Sequence, residues 1–217
     1  MKRPKVIVNC AMSADGKIAL PTRKQIRLSS EEDIARVYRL RNECDAVLVG
    51  VGTILADDPK LTVKEKYVKN PRHPLRVVLD SNGRTPSRSL VLSDAAKTLI
   101  VTAKGHETSF AGQHIEVVGC AVDEQGLLDV TCILDLLYQR GIRTLLVEGG
   151  GTVIWSFLKS GLVDDLYVFI SPCIIGGVDT PTMAGGEGVR HEDEVIHLKL
   201  VEARRLGSGM LTHYQPL

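Results

Sequence analysis

The residues best placed to do chemistry are Glu148, Gly149, Gly150, Gly151 and Thr152, an acid and three glycines between the apolar run 145–147 and an amphipathic segment. That order reads as strand, glycine-rich turn, helix. Glycines let the backbone turn sharply and let a ligand approach with no Cβ in the way. A helix starting behind them aims free N–H groups and the positive end of its dipole into the gap. Such a turn suits a pyrophosphate, and so a nucleotide cofactor. A tight βα turn that binds nothing has the same spacing, and the motif alone leaves both readings open.

Four other groups stand where strands are expected to end, the place where open α/β sheets bind ligands. Gly50, Val51, Gly52 and Thr53 lead to Asp57, Asp58, Pro59, Leu61 and Lys64. The segment opens like a dinucleotide fingerprint but lacks the third glycine, so it is not a Rossmann motif. A helical turn over 53–56 would point Thr53 and Asp57 the same way. Equally, Asp57 or Asp58 could simply turn the chain before Pro59. Ser81, Asn82, Gly83 and Arg84 follow Asp80 on a tight turn suited to a phosphate monoester. There Arg84 could take a 2′-phosphate, or Asp80 a free ribose hydroxyl; a solvated turn is the plain alternative. Residues 9–17, with Ala11 and an Asp15-Gly16 turn, offer small-residue backbone to a flat ring or are an ordinary turn. Lys64, Lys66, Lys69, Arg72, His73 and Arg76 form a loose basic run, usually solvated, of which one or two members could meet a phosphate.

Alternating strands and helices must position these groups. Strands are expected at 6–10, 46–49, 75–79, 98–101, 115–118, 144–147, 166–170, 196–201 and 210–214. Helices are expected from a capping box at Ser29 and Glu32 to about Cys44, over 130–139 before Gly141, and over 152–159 before Gly161. Continuous apolar strands separated by helices predict an α/β fold. Its central sheet is mostly parallel, with helices on both faces. The last two strands, joined through 207–209, predict an antiparallel C-terminal edge. With no linker or repeat, residues 1–217 read as a single domain. Residues 176–194 are a long irregular stretch that suits a lid, an oligomer contact or a connector.

The bulk properties exclude several classes. At 217 residues, 44% hydrophobic and 24% charged, the chain is ordinary for a globular protein. A net charge of +1 gives no broad basic face for nucleic acid. The N-terminal apolar run is too short for a membrane span or a signal peptide. Cys10, Cys44, Cys120, Cys132 and Cys173 are scattered, odd in number and without a Cys-x-x-Cys pair. Neither a metal site nor a disulfide framework is expected; three of them read as buried thiols, and the chain reads as cytoplasmic.

Taken in order, NCAMSADGKIA, GVGTILADDPKLTVK, DSNGR and LVEGGGTV resemble the riboflavin-biosynthesis reductases, which have a dihydrofolate-reductase-like fold. The resemblance runs from residue 6 to about 214 and is greatest to the stand-alone archaeal and fungal members. It implies NADPH-dependent reduction, with NADH possible, of 2,5-diamino-6-ribosylamino-4(3H)-pyrimidinone 5′-phosphate by a homodimer. It places Ala11, Thr53 and Asp57 at the nicotinamide nucleotide. Ser81, Asn82, Gly83 and Arg84 fall at the adenosine end, and Gly149, Gly150, Gly151 and Thr152 at the pyrophosphate. Substrate contacts fall on Arg41, Leu61, Lys64 and Glu148, and the candidate catalytic acids are Asp57 and Glu148. Lys64 stands where the bacterial pattern commonly has Arg, and Arg27 where it has an aromatic residue. A reductase of the deaminated pyrimidine or of a pteridine or folate, and a non-catalytic nucleotide-binding module, are the alternatives.

Overall fold

The computed structural model describes residues 2–217. In chain order these form β1 (Lys5–Ser13), α1 (Glu31–Glu43), β2 (Ala46–Gly50), α2 (Val51–Asp57), β3 (Leu75–Leu79), β4 (Thr98–Ala103) and β5 (Ile115–Cys120). There follow α3 (Val130–Gln139), β6 (Thr144–Gly149), α4 (Gly151–Lys159), β7 (Asp165–Ser171), β8 (Leu198–Leu206) and β9 (Gly209–Pro216). The nine strands make a mostly parallel sheet with an antiparallel C-terminal edge, as expected. The chain divides into two compact units, one running up to Lys5 and over Tyr38–Leu146, the other over Val6–Val37 and Val147–Leu217.

In the first unit the strand order is β5-β4-β3-β2-β6, and each of β2–β3, β3–β4 and β4–β5 is a parallel pair. All five residues of β2 are buried, which is why its sequence is an unbroken apolar run rather than an alternating one. Leu99, Ile100, Ile133, Leu134, Leu137, Leu145 and Leu146 complete this core. Arg76 is the exception on β3: it is fully buried, and its guanidinium donates to the Ser93 and Ala96 carbonyls and to Ser93 Oγ. It therefore leaves the basic surface run to which its position assigned it.

One sequence expectation fails in this unit. Cys120 and Cys132 are joined by a disulfide. A bridge between Val122 and Leu128 and the Asp129 N–H to Ala121 carbonyl bond bring the end of β5 back to the start of α3. That closure is tertiary, and a twelve-residue spacing carries no sign of it. Cys10 and Cys44 remain buried thiols, and burial pushes the Cys10 thiol up to about 12.

In the second unit β1 lies parallel to β7, β9 antiparallel to β7, and β8 antiparallel to β9. Phe157, Phe169, Val168 and Leu211 are buried in it. The helix cap here is Ser30, not Ser29: Ser30 Oγ accepts from the Asp33 N–H, and the helix begins one residue later than the predicted box. Asp33 is buried against Arg36, so the third position of the cap holds an ion pair instead of the expected Glu32. The expected strand at 196–201 starts at Leu198 and extends to Leu206. Nearly every residue of β8 is exposed.

Candidate active site

In the first unit β2 runs straight into α2, a seven-residue helix whose N-cap, Gly50, supplies no side-chain cap. Thr53 and Asp57 lie four apart on this helix and share a side, as their spacing predicts. Asp58, rather than Asp57, is the turn residue. Its backbone is left-handed (φ 41°), its N–H closes the helix on the Ile54 carbonyl, and its Oδ1 accepts from the Leu90 N–H at 2.8 Å. Asp57 is half-buried at the end of α2. Three residues after Asp58, Leu61 is left-handed again (φ 52°) although its side chain is 2% exposed. A buried Leu61 side chain leaves only its backbone to meet a ligand.

Arg41 and Lys64 come together around one ring. Arg41 donates to the Thr62 carbonyl, and its Cζ is 5.2 Å from the Tyr38 ring centroid; Lys64 Nζ is 5.4 Å from the same centroid. The rest of the basic run disperses. Arg72 pairs with Asp45, the Val63 N–H donates to His73 Nδ1, and Lys66 lies over Tyr67.

The turn after β3 is closed from inside by Asp80, whose Oδ2 accepts from the Thr85 N–H and hydroxyl, both at 2.7 Å. Asp80 is fully buried, so the reading in which it takes a ribose hydroxyl gives way to a turn-building one. Ser81, Asn82 and Arg84 reach the surface of that turn. Gly83 packs against the His106 carbonyl and Thr108, where a Cβ would sit 3.0 Å from either.

In the second unit half-buried Glu148 is the last residue but one of β6, which ends at Gly149; Gly150 caps α4 and Gly151 is its first residue. Gly150 is the N-cap with φ 83°, a conformation that a side chain disfavours, and it offers no side-chain cap. The first N–H groups of α4, Thr152 among them, thus have no side-chain acceptor supplied by the cap. Gly151 is needed for a different reason. The Gly185 N–H donates to its carbonyl, and a Cβ on it would stand 2.5 Å from the Thr182 carbonyl oxygen. Part of the 176–194 stretch therefore packs on the glycine turn.

Ala11 is half-buried on β1 opposite Phe169. Beyond it, Asp15 has a role that the Asp-Gly turn reading missed. Its carboxylate accepts from Ser13 Oγ at 2.6 Å and from the N–H groups of Ile175 and Gly176. These bonds, the Ser13 hydroxyl first, hold its pKa down to about 2. Asp15 thus ties the loop after β1 to the start of the irregular stretch after β7. Nothing local in the sequence marks that tie, because Asp15 and Ile175 are 160 residues apart.

Residues 4–212 match the sequence model of the family described as RibD C-terminal domain. The chain is 40% identical over 214 residues to the 2,5-diamino-6-ribosylamino-4(3H)-pyrimidinone 5′-phosphate reductase of Archaeoglobus fulgidus, across 95% of each chain. It is also 40% identical over 212 residues, 98% of each chain, to the protein of the same name from Methanothermobacter thermautotrophicus. Among solved structures, the diaminohydroxyphosphoribosylaminopyrimidine deaminase/5-amino-6-(5-phosphoribosylamino)uracil reductase of Thermotoga maritima is similar with a TM-score of 0.80 and 30% identity. That likeness covers 99% of this chain and 57% of the Thermotoga one.

Proposed function

Because the chain belongs to the RibD C-terminal domain family, we propose that it is a reductase of riboflavin biosynthesis that converts 2,5-diamino-6-ribosylamino-4(3H)-pyrimidinone 5′-phosphate to its ribitylamino product. The observation that carries this reading is that the likeness to stand-alone reductases of that name runs end to end.

The proposed cofactor is NADPH. The donor set fits it, because a helix start with no side-chain cap behind Gly150 can accept an anionic pyrophosphate without displacing a capping side chain. When bound, the nicotinamide supplies the hydride. Gly149, Gly150, Gly151 and Thr152 bind the pyrophosphate through backbone N–H groups. Ser81, Asn82, Gly83 and Arg84 hold the adenosine end, with Arg84 on the 2′-phosphate, and Ala11 and Thr53 orient the nicotinamide nucleotide. On the substrate, opening of the ribosylamine ring places an imine at the anomeric carbon, and reduction there leaves the ribitylamine. Arg41 and Lys64 bind the phosphate, and the Leu61 backbone borders the substrate. The carboxylates of Asp57 and Glu148 stabilise positive charge at the reacting carbon and hold the proton that the nitrogen gains.

The proposed assembly is a homodimer working in the cytoplasm, with no nucleic-acid or membrane partner. Support for the dimer comes from β8, an edge strand with Leu200 and Val201 about half exposed, since such an edge needs covering. Light scattering should give a mass near twice the 23.7 kDa of one chain.

The deciding assay follows NADPH oxidation with the phosphorylated diaminopyrimidine, then its deaminated analogue, then dihydrofolate. Turnover is expected with the first, and activity with dihydrofolate alone would overturn the reading. Arg84→Ala should weaken NADPH about tenfold and NADH far less, as loss of a charged phosphate contact requires. An equal loss for both would remove the 2′-phosphate role.

A further inference from the structure

Tyr38 and Tyr67 are stacked, with ring centroids 4.7 Å apart and planes within 8°. Tyr38 lies on α1 one turn before Arg41, and Tyr67 lies one turn of chain after Lys64, where its N–H bonds the Lys64 carbonyl. Both cations sit over the Tyr38 ring, at 5.2 and 5.4 Å, and Lys66 Nζ lies 4.9 Å from the Tyr67 centroid. Two positive groups sharing one ring repel each other. The negative face of the ring offsets part of that repulsion, and an anion bound beside both is attracted by both.

We propose that the Tyr38–Tyr67 stack is a positioning platform that holds Arg41 and Lys64 in place to receive the phosphate monoester of the substrate. The inference rests on the reading of this chain as a reductase of a phosphorylated pyrimidine. It gives a lysine at position 64 a physical account. A lysine ammonium is a point charge on a flexible four-carbon stem and lacks the bidentate fork of arginine. Ordering such a stem costs conformational entropy that a fixed guanidinium fork loses less of. A ring under Nζ restricts the stem before the ligand arrives, and Tyr67 restricts the ring in turn. Tyr38 and Tyr67 touch neither hydride donor nor reacting carbon in this account. They act through the two cations.

The test uses the full chain and two ligands. Ribose 5-phosphate binding is measured by calorimetry with ribose as control, and steady-state KM and kcat are measured with the phosphorylated diaminopyrimidine. The intact protein should bind ribose 5-phosphate and not ribose. Tyr38→Leu, which removes the ring face, should weaken ribose 5-phosphate binding and raise KM by about 5- to 30-fold, the combined worth of two exposed cation–π contacts. The change in kcat should stay under about twofold. Tyr38→Phe keeps the face and should restore most of the affinity, while Tyr67→Leu should give a smaller loss than Tyr38→Leu. The proposal is overturned if Tyr38→Leu binds ribose 5-phosphate as the intact protein does, if Tyr38→Phe is as impaired as Tyr38→Leu, or if the intact protein binds no ribose 5-phosphate. A fall in kcat and melting temperature together, with KM unchanged, assigns the stack a structural role and also overturns it. If the pyrimidine is not turned over but ribose 5-phosphate binding still depends on the Tyr38 ring, the substrate reading falls and the platform stands.

Discussion

The segments at 149–152 and 57–62 both carry a backbone through the left-handed region, one with glycine and the other without it. At 149–152 the conformation costs little, because Gly150 adopts φ 83° with no Cβ to clash. At 57–62, Asp58 and Leu61 stand at φ 41° and 52°, each at a cost of roughly 1–2 kcal/mol. Something must over-determine them. For Asp58 it is the pair of bonds to the Ile54 carbonyl and the Leu90 N–H. For Leu61 it is burial: sinking a leucine side chain contributes about 2–3 kcal/mol, enough to outweigh the strain. A glycine turn thus gains close approach at the expense of rigidity, whereas an anchored turn fixes its backbone without a glycine. The first leaves room for close approach; the second fixes the chain at the end of α2, and on the proposed reading holds Asp57 in register.

That contrast can be broken at several points. Asp57→Asn should lower kcat by about 10²- to 10³-fold with little change in melting temperature, the loss expected for a carboxylate that handles charge or a proton. Near-normal turnover would return the anchored turn to a purely architectural role. Gly151→Val should weaken NADPH binding by about 10²-fold, because the new side chain meets the Thr182 carbonyl and moves the turn. Unchanged affinity in a calorimetric titration would show that the glycine turn needs no close approach. Leu61→Ala should cost about 2–4 kcal/mol in urea unfolding, and Leu61→Gly about 1 kcal/mol less than that. At an ordinary buried position glycine is the costlier change, so the reverse order is the signature of a left-handed backbone. The smallest effect is on the acid side. Asp15 titrates near 2 instead of 3.8, so its bonds contribute fully above pH 3.8 and are lost as pH falls through about 2. Asp15→Asn should flatten the acid limb of the stability profile in that window, and an unaltered limb would detach Asp15 from the 175–176 tie.

The same contrast explains what could be read in advance. The α/β order, the parallel sheet and the antiparallel hairpin followed from apolar runs and turns, and α3 matches its expected bounds at Val130–Gln139. The glycine turn before α4 was legible because the residue type itself carries the conformation. Leu61 was not, since nothing local marks a leucine as left-handed; its anchor comes from tertiary packing. Asp58 and Asp57 were interchangeable on paper; Asp58 is set apart by its left-handed backbone and by the bond from Leu90, thirty-two residues away. Asp15 reaches 160 residues ahead to Ile175, and Cys120 meets Cys132 through a closure no spacing announces. Ser30 displaced Ser29 as the cap because Asp33 was free to pair with Arg36 inside the fold.

One consequence of the glycine-rich packing at 182–186 is optical. The chain has one tryptophan, Trp155, on α4. A Cβ on Gly186 would stand 2.7 Å from its Cδ1, so the indole lies directly against this segment. Its emission is therefore a built-in reporter of how that segment sits. Movement of the loop off the indole would change the polarity around the only tryptophan in the chain, without any label attached.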